Sequence, residues 1–89
     1  MPKKILHAQI GDDRLRVENT WFSGATLFLN DQPIARNNDL FSVNRRTPLM
    51  STEATVNGTN SQIEVFIWAI FTVKIQIRLN GNIVAGEEL

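Results

Sequence analysis

The sequence predicts an all-β chain, a single antiparallel β-sandwich domain over residues 1–89 with roughly seven to nine short strands and essentially no α-helix. Three observations carry that expectation. Apolar residues recur at every second position through Val73, Ile75, Ile77 and Leu79, with Lys74, Gln76 and Arg78 between them, which is the period of a strand with one dry and one wet face. Asn80-Gly81 follows at once, a pair that takes the positive φ values of a two-residue type I′ turn at little steric cost. No window of about ten residues repeats apolar side chains at i, i+3 and i+4 behind a helix cap. The two-residue turn sets a register in which Leu79 faces Asn82, Arg78 faces Ile83 and Ile77 faces Val84 as a core pair.

Taken in order, Lys4 to Ile10 alternates weakly through Ile5, Ala8 and Ile10 and ends in Gly11-Asp12-Asp13, a turn cluster. Arg14 to Thr20 answers it, with Leu15 and Val17 inward and Arg14, Arg16 and Glu18 outward. Trp21-Phe22-Ser23-Gly24 reads as a connection that turns the chain. Ala25, Leu27 and Leu29 restore the alternation, and Asn30-Asp31 supplies a second turn that sets Leu27 opposite Ile34. Leu40 to Val43 and Thr52 to Val56 read as further strands. Pro48 separates them, since it pushes Thr47 out of the α region and has no N–H to give a ladder. Asn57 to Ser61 is a loop or hairpin turn, and Ile63 begins the densest β-forming run.

A shift of fifty residues lays Leu15–Ala35 on Val65–Ala85 with matching features. Leu15 and Val17 fall on Val65 and Ile67, Trp21 on Phe71, Leu27 and Leu29 on Ile77 and Leu79, and Ile34-Ala35 on Val84-Ala85. The shared plan is strand, aromatic corner, strand, Asn-initiated hairpin, strand. Two units with one apolar face each bury those faces only by packing on one another, which is the basis for expecting a sandwich.

Composition narrows the function classes. A chain of 89 residues buries roughly 60–65% of its unfolded surface, enough for one core. With no cysteine, disulfides, thiolate metal sites and a cysteine nucleophile are all removed. Nine Lys plus Arg balance nine Asp plus Glu, so no strong field gathers phosphate or anionic lipid, and nucleic acid is not expected as a partner. Lys3 and Lys4 precede only a broken apolar run, without the core of a signal peptide. Val65 to Val73 is far shorter than the ~20 residues of a membrane helix, so direct membrane insertion is not expected and the chain reads as cytoplasmic.

The residues from Leu15 to Val84 also carry a family resemblance. Val17-Glu18, Ser23-Gly24, Leu27 and Leu29 leading into Asn30-Asp31, then Ile34 and Phe41, occur in that order. Ile63, Val65, Ile67, Ile75, Ile77 and the Asn80-Gly81 hairpin complete the pattern. This resembles the β-sandwich domain of the Fas apoptotic inhibitory molecule family. The resemblance implies a compact antiparallel sandwich that acts through protein contacts, without cofactor or catalysis.

For chemistry the inventory is thin. His7, the one histidine, shares a strand face with Ile5 and Gln9 and reads as structural, since a catalytic histidine needs an orienting partner and a nucleophile. Asp12-Asp13 reads as a solvated turn, because adjacent carboxylates on an extended chain point apart and no third oxygen ligand follows at calcium-loop spacing. Asn57-Gly58-Thr59 matches a glycosylation triplet but reads as a turn, and Arg45-Arg46 as a solvated pair. No cofactor or metal site is expected, and no enzyme. What rises above background is large apolar groups on a nominally wet face. If Ile63, Val65 and Ile67 claim the core, Phe66 and Trp68 lie opposite beside Glu64, and leaving each in water forgoes ~1.5–3 kcal/mol of burial. Either the domain itself covers them or a partner does, whether a second copy, another protein or the rest of a longer, membrane-attached polypeptide. Trp21, Phe22, Phe66, Trp68 and Phe71 are therefore the candidate contact surface for a protein partner or self-association. The alternative from another class is a small-molecule or carbohydrate module built from Trp21 and Trp68 with Asn19 and Ser23 on a polar rim.

Overall fold

Four two-residue turns set the path of the chain, because each places residues that tolerate positive φ between two strand-forming runs. Gly11 of Gly11-Asp12 has φ +59°, Asn30-Asp31 takes +50° and +68°, Asn57-Gly58 +52° and +78°, and Asn80-Gly81 +50° and +84°. The last three pairs are type I′ in kind, with both central residues left-handed. The computed structural model describes residues 3–20, 24–37, 47–69 and 73–86. Within them lie β1 (Lys3–Ile10), β2 (Asp13–Thr20), β3 (Gly24–Leu29), β4 (Gln32–Asn37), β5 (Met50–Val56), β6 (Thr59–Ala69), β7 (Val73–Leu79) and β8 (Asn82–Gly86). There is no helix among the described residues, and the class is all-β as the alternation implied.

The strands form two four-stranded antiparallel sheets, a first in the order β1-β2-β3-β4 and a second in the order β5-β6-β7-β8. Each sheet is thus one unbroken half of the sequence. Leu15, Val17 and Leu27 of the first sheet and Ile63, Val65, Ile67 and Ile77 of the second have no exposed surface, and they belong to one core cluster drawn from both sheets. Fully burying a side chain of this size stabilises by ~1.5–3 kcal/mol. The inward set on β1 is Leu6, Ala8 and Ile10; Ile5, 42% exposed, lies with His7 and Gln9 on the outer face, the shared face that strand period gave them. Thr59 to Ser61 belong to β6, leaving only Asn57-Gly58 as the turn. The expected strand at Leu40–Val43 and the connection at Trp21–Ser23 lie outside the described residues.

The hairpin registers hold near the turns and then slip by one residue. Leu79 faces Asn82 and Arg78 faces Ile83, but Ile77 pairs with Ala85, leaving Val84 as the extra residue of a β-bulge. Likewise Phe28 faces Pro33 while Leu27 pairs with Ala35, and Ile34 is the extra residue. Both expected pairs, Ile77 with Val84 and Leu27 with Ile34, are corrected by the same cause. Strict alternation turns one of two consecutive apolar residues to solvent, whereas a bulge lets Ile34 and Ala35, and Val84 and Ala85, all pack on the core. Gly86 closes β8 at φ +102°, where a Cβ would collide with the Ile75 carbonyl oxygen.

The fifty-residue match also changes on one strand. Leu29 to Leu79 is a step of fifty, yet Leu29 pairs with Leu15 and Leu79 with Ile63, a step of forty-eight. Leu15 therefore corresponds to Ile63 and Val17 to Val65, not to Val65 and Ile67 as the ungapped shift had them. The turn asparagines follow the same offsets. Asn30 exchanges bonds with the Arg14 backbone, its N–H donating to the carbonyl at 2.9 Å and its Oδ1 accepting from the N–H at 2.9 Å. Asn80 does the same with Gln62 at 2.8 and 2.9 Å.

Side chains of the first sheet reach backbone groups in the second half of the chain. Lys4 Nζ donates to the Val73 carbonyl, Asn37 Nδ2 to the Leu49 carbonyl at 2.8 Å, and Asp13 Oδ2 accepts from the Asn57 N–H at 2.7 Å. Asp13 Oδ1 also accepts from Asn30 Nδ2 at 2.9 Å, so one carboxylate ties three hairpins together at the end closed by tight turns. The Asn30 side chain and then the Asn57 amide hold the Asp13 carboxyl below the usual carboxylate range. A folded-state value below the unfolded one means that the stabilisation is complete above about pH 4 and disappears as pH falls through the lower, folded-state value. Asp13→Ala should accordingly lower the urea midpoint at neutral pH, and its difference from wild type should close in acid. A difference that stays constant with pH would show that the carboxylate charge contributes nothing.

Candidate contact surface

The outer face of β6 carries Glu64, Phe66 and Trp68, because Ile63, Val65 and Ile67 take the core side. Antiparallel pairing sets Phe66 against Gln76 and Trp68 against Lys74 on β7. Phe66 is not left in water. It is 1% exposed, with the Arg78 guanidinium 4.3 Å from its ring centroid, a cation–π contact that also shields the ring. Arg78 is held there by donating Nε to Gln76 Oε1 at 2.7 Å, and Gln76 is itself 2% exposed. Arginine, aromatic and amide thus form one closed layer, and Phe66 offers no surface to a partner.

Trp68 differs. It is half-buried, and its indole N–H is shielded from solvent with no acceptor among the described residues. Of the two candidate contact residues that are described, Phe66 is buried and Trp68 is partly exposed. Trp21, Phe22 and Phe71 lie outside the described residues. On β8, Ile83 is 53% exposed opposite Arg78.

The first sheet presents a different outer face. His7, Arg16, Phe28 and Pro33 form one cross-strand row. Arg16 lies 4.1 Å from the Phe28 centroid and pairs with Glu18 at 2.9 Å and Asp31 at 2.6 Å. Phe28 was absent from the sequence candidates. The signal that marks it is the cation one strand away, visible only once the β2–β3 register is known. A shallow depression lined by Thr26, Phe28, Pro33, Ala35 and Arg36 adjoins it. His7 is exposed and not enclosed in the fold, and no group of three His, Asp or Glu among the described residues is placed to hold a metal.

Asn19 corrects the carbohydrate alternative. It faces inward beside Val17 and is only 7% exposed, so it cannot sit on a solvent-facing rim; Ser23 lies outside the described residues. No helix among the described residues is long and apolar enough to cross a membrane. No family model, curated protein or solved structure matches this chain.

Since Phe66 is enclosed although it faces away from the core, Phe66→Ala should cost ~3–5 kcal/mol in chemical denaturation, as for a core aromatic. A loss near that of an exposed site, under about 0.5 kcal/mol, would contradict the enclosure.

Proposed function

We propose that this chain is a non-catalytic β-sandwich module, cytoplasmic in setting, that works by apolar contact with another protein or with a second copy of itself. The observation that carries this reading is Trp68, a large aromatic that stays partly exposed on an outer sheet face whose neighbour Phe66 is fully covered. Covering the rest of such a ring adds apolar burial worth ~25 cal/mol per Å², and aromatics of this kind anchor protein interfaces. The exposed Ile83 extends the apolar character of the second sheet. The likeness to the Fas apoptotic inhibitory molecule sandwich belongs to the same proposal and points the same way, to contact and not to catalysis. Its role in animal death signalling is not carried over, since a shared fold does not transfer a function.

Size-exclusion chromatography with light scattering, run at several concentrations on wild type and Trp68→Ser, tests the self-contact form of the reading. The expected result is an oligomer that the substitution dissociates while the circular dichroism of the sheets is kept. A wild type that is monomeric throughout, with Trp68→Ser losing only stability, would remove Trp68 as a self-contact residue.

A further inference from the structure

The sequence holds two Asn-Gly pairs, Asn57-Gly58 and Asn80-Gly81, and both form tight turns with positive φ at each residue. Asparagine before glycine is prone to cyclise, because no Cβ shields the glycine nitrogen from the asparagine carboxamide. At both glycines the space where a Cβ would stand is empty, so access to the nitrogen does not separate the two turns. Their carboxamides do. Asn80 Oδ1 accepts from the Gln62 N–H at 2.9 Å, and the Asn80 N–H donates to the Gln62 carbonyl at 2.8 Å, which pins the amide against β6. Asn57 has no such anchor. Its backbone N–H donates to Asp13 Oδ2 at 2.7 Å, while its side chain makes no hydrogen bond among the described residues. The carboxamide rests instead on Gly11, where a Cβ would collide with Oδ1. Asn57 and Gly58 are both exposed.

We propose that Asn57 is a site of spontaneous deamidation, and that the change weakens the joint between the two sheets. The Gly58 nitrogen gives up its proton and attacks Asn57 Cγ; the carboxamide C–N bond breaks and its nitrogen leaves as ammonia, which closes a five-membered imide. Water then opens the ring. Attack at Cγ leaves aspartate, whereas attack at the Asn57 backbone carbonyl leaves isoaspartate, with the main chain rerouted through Cβ and Cγ. No oxidation state changes, and water is the sole co-reactant. Either product replaces a neutral amide with a carboxylate beside the Asp13 carboxylate, which the Asn57 N–H holds, and like charges repel there. Isoaspartate also adds a main-chain atom to a two-residue turn whose length fixes the hairpin register. Asp13 Oδ1 accepts from Asn30 Nδ2 as well, so the damage falls where three hairpins meet. Such ageing acts on the fold itself and is independent of any contact through Trp68.

The full chain, held in warm, mildly alkaline buffer and sampled over weeks, is digested with trypsin, which puts Asn57 and Asn80 on different peptides. Mass spectrometry with fragmentation then follows acid formation at each position. Asn57 should convert at least about fivefold faster than Asn80, whose anchoring hydrogen bond must first open. Ion exchange separates the aged species from this chain of zero formal net charge, and the fraction converted at Asn57 should have a lower urea midpoint than the unaged protein. Asn57→Asp supplies the charge without the extra main-chain atom, on a backbone that aspartate accepts, as Asp31 does at φ +68°. Its midpoint should fall below wild type at neutral pH and converge with it in acid. Conversion of Asn80 as fast as Asn57 would overturn the proposal, as would an aged fraction that keeps the unaged midpoint. If Asn57→Asp does not fold, those two measurements on the wild-type chain decide alone.

Discussion

The constraint on which everything else depends is that neither sheet can keep its inner face dry without the other. Each sheet is a self-contained meander of four strands drawn from one half of the sequence, and no ladder of backbone hydrogen bonds joins the halves among the described residues. What joins them is burial of aliphatic surface, supplemented by Lys4, Asn37 and Asp13 reaching across to backbone groups. Burial is strong but undirected. Direction has to come from the polar reaches and from the shape of the faces, which is why the few hydrophilic groups facing the second sheet carry more structural meaning than their number suggests.

The edges follow from the same constraint. An unpaired edge strand is a template for other chains unless it is short, charged, bulged or carries proline. Here β1 begins with Lys3 and Lys4, β4 has Pro33 beside its bulge, and β8 is five residues long, bulged, and ends on Gly86. The bulges serve two ends at once, turning consecutive apolar residues onto the core and twisting the edge away from flat pairing. Asparagine at the first position of three turns adds a local device, since it accepts positive φ and, at Asn30 and Asn80, extends the neighbouring ladder through its side chain.

Much of this was legible in the letters. Alternation at Leu15–Val17, Leu27–Leu29 and Val73–Leu79 gave strand type and inner face, Asn30-Asp31 and Asn80-Gly81 located their turns, and Asn80-Gly81 also gave the first cross-strand pairs of its hairpin. The bulges were not legible, because consecutive Ile-Ala or Val-Ala is compatible with either a regular or a bulged edge until the space above the core is known. For the same reason the offset on β2 and β6 was two residues from the ungapped match, as both alignments keep apolar residues on the inner face. The candidate surface was half readable. Alternation placed Phe66 and Trp68 on the outer face, but the cover over Phe66 comes from Arg78, two strand positions beyond the residue paired with it. Asn19 was misplaced because its neighbours Trp21 and Ser23 suggested a corner, whereas the parity of Leu15 and Val17 carries it inside.

Native-state hydrogen exchange tests mutual dependence most directly, since it reports the opening free energy of each sheet within one molecule. The most protected amides at the centres of β2 and β3 and those at the centres of β6 and β7 should exchange through a common opening with one free energy, equal to that of global unfolding. If one sheet opened at a clearly lower free energy while the other kept its protection, that other sheet would be standing alone, and the dependence of each half on its counterpart would be refuted.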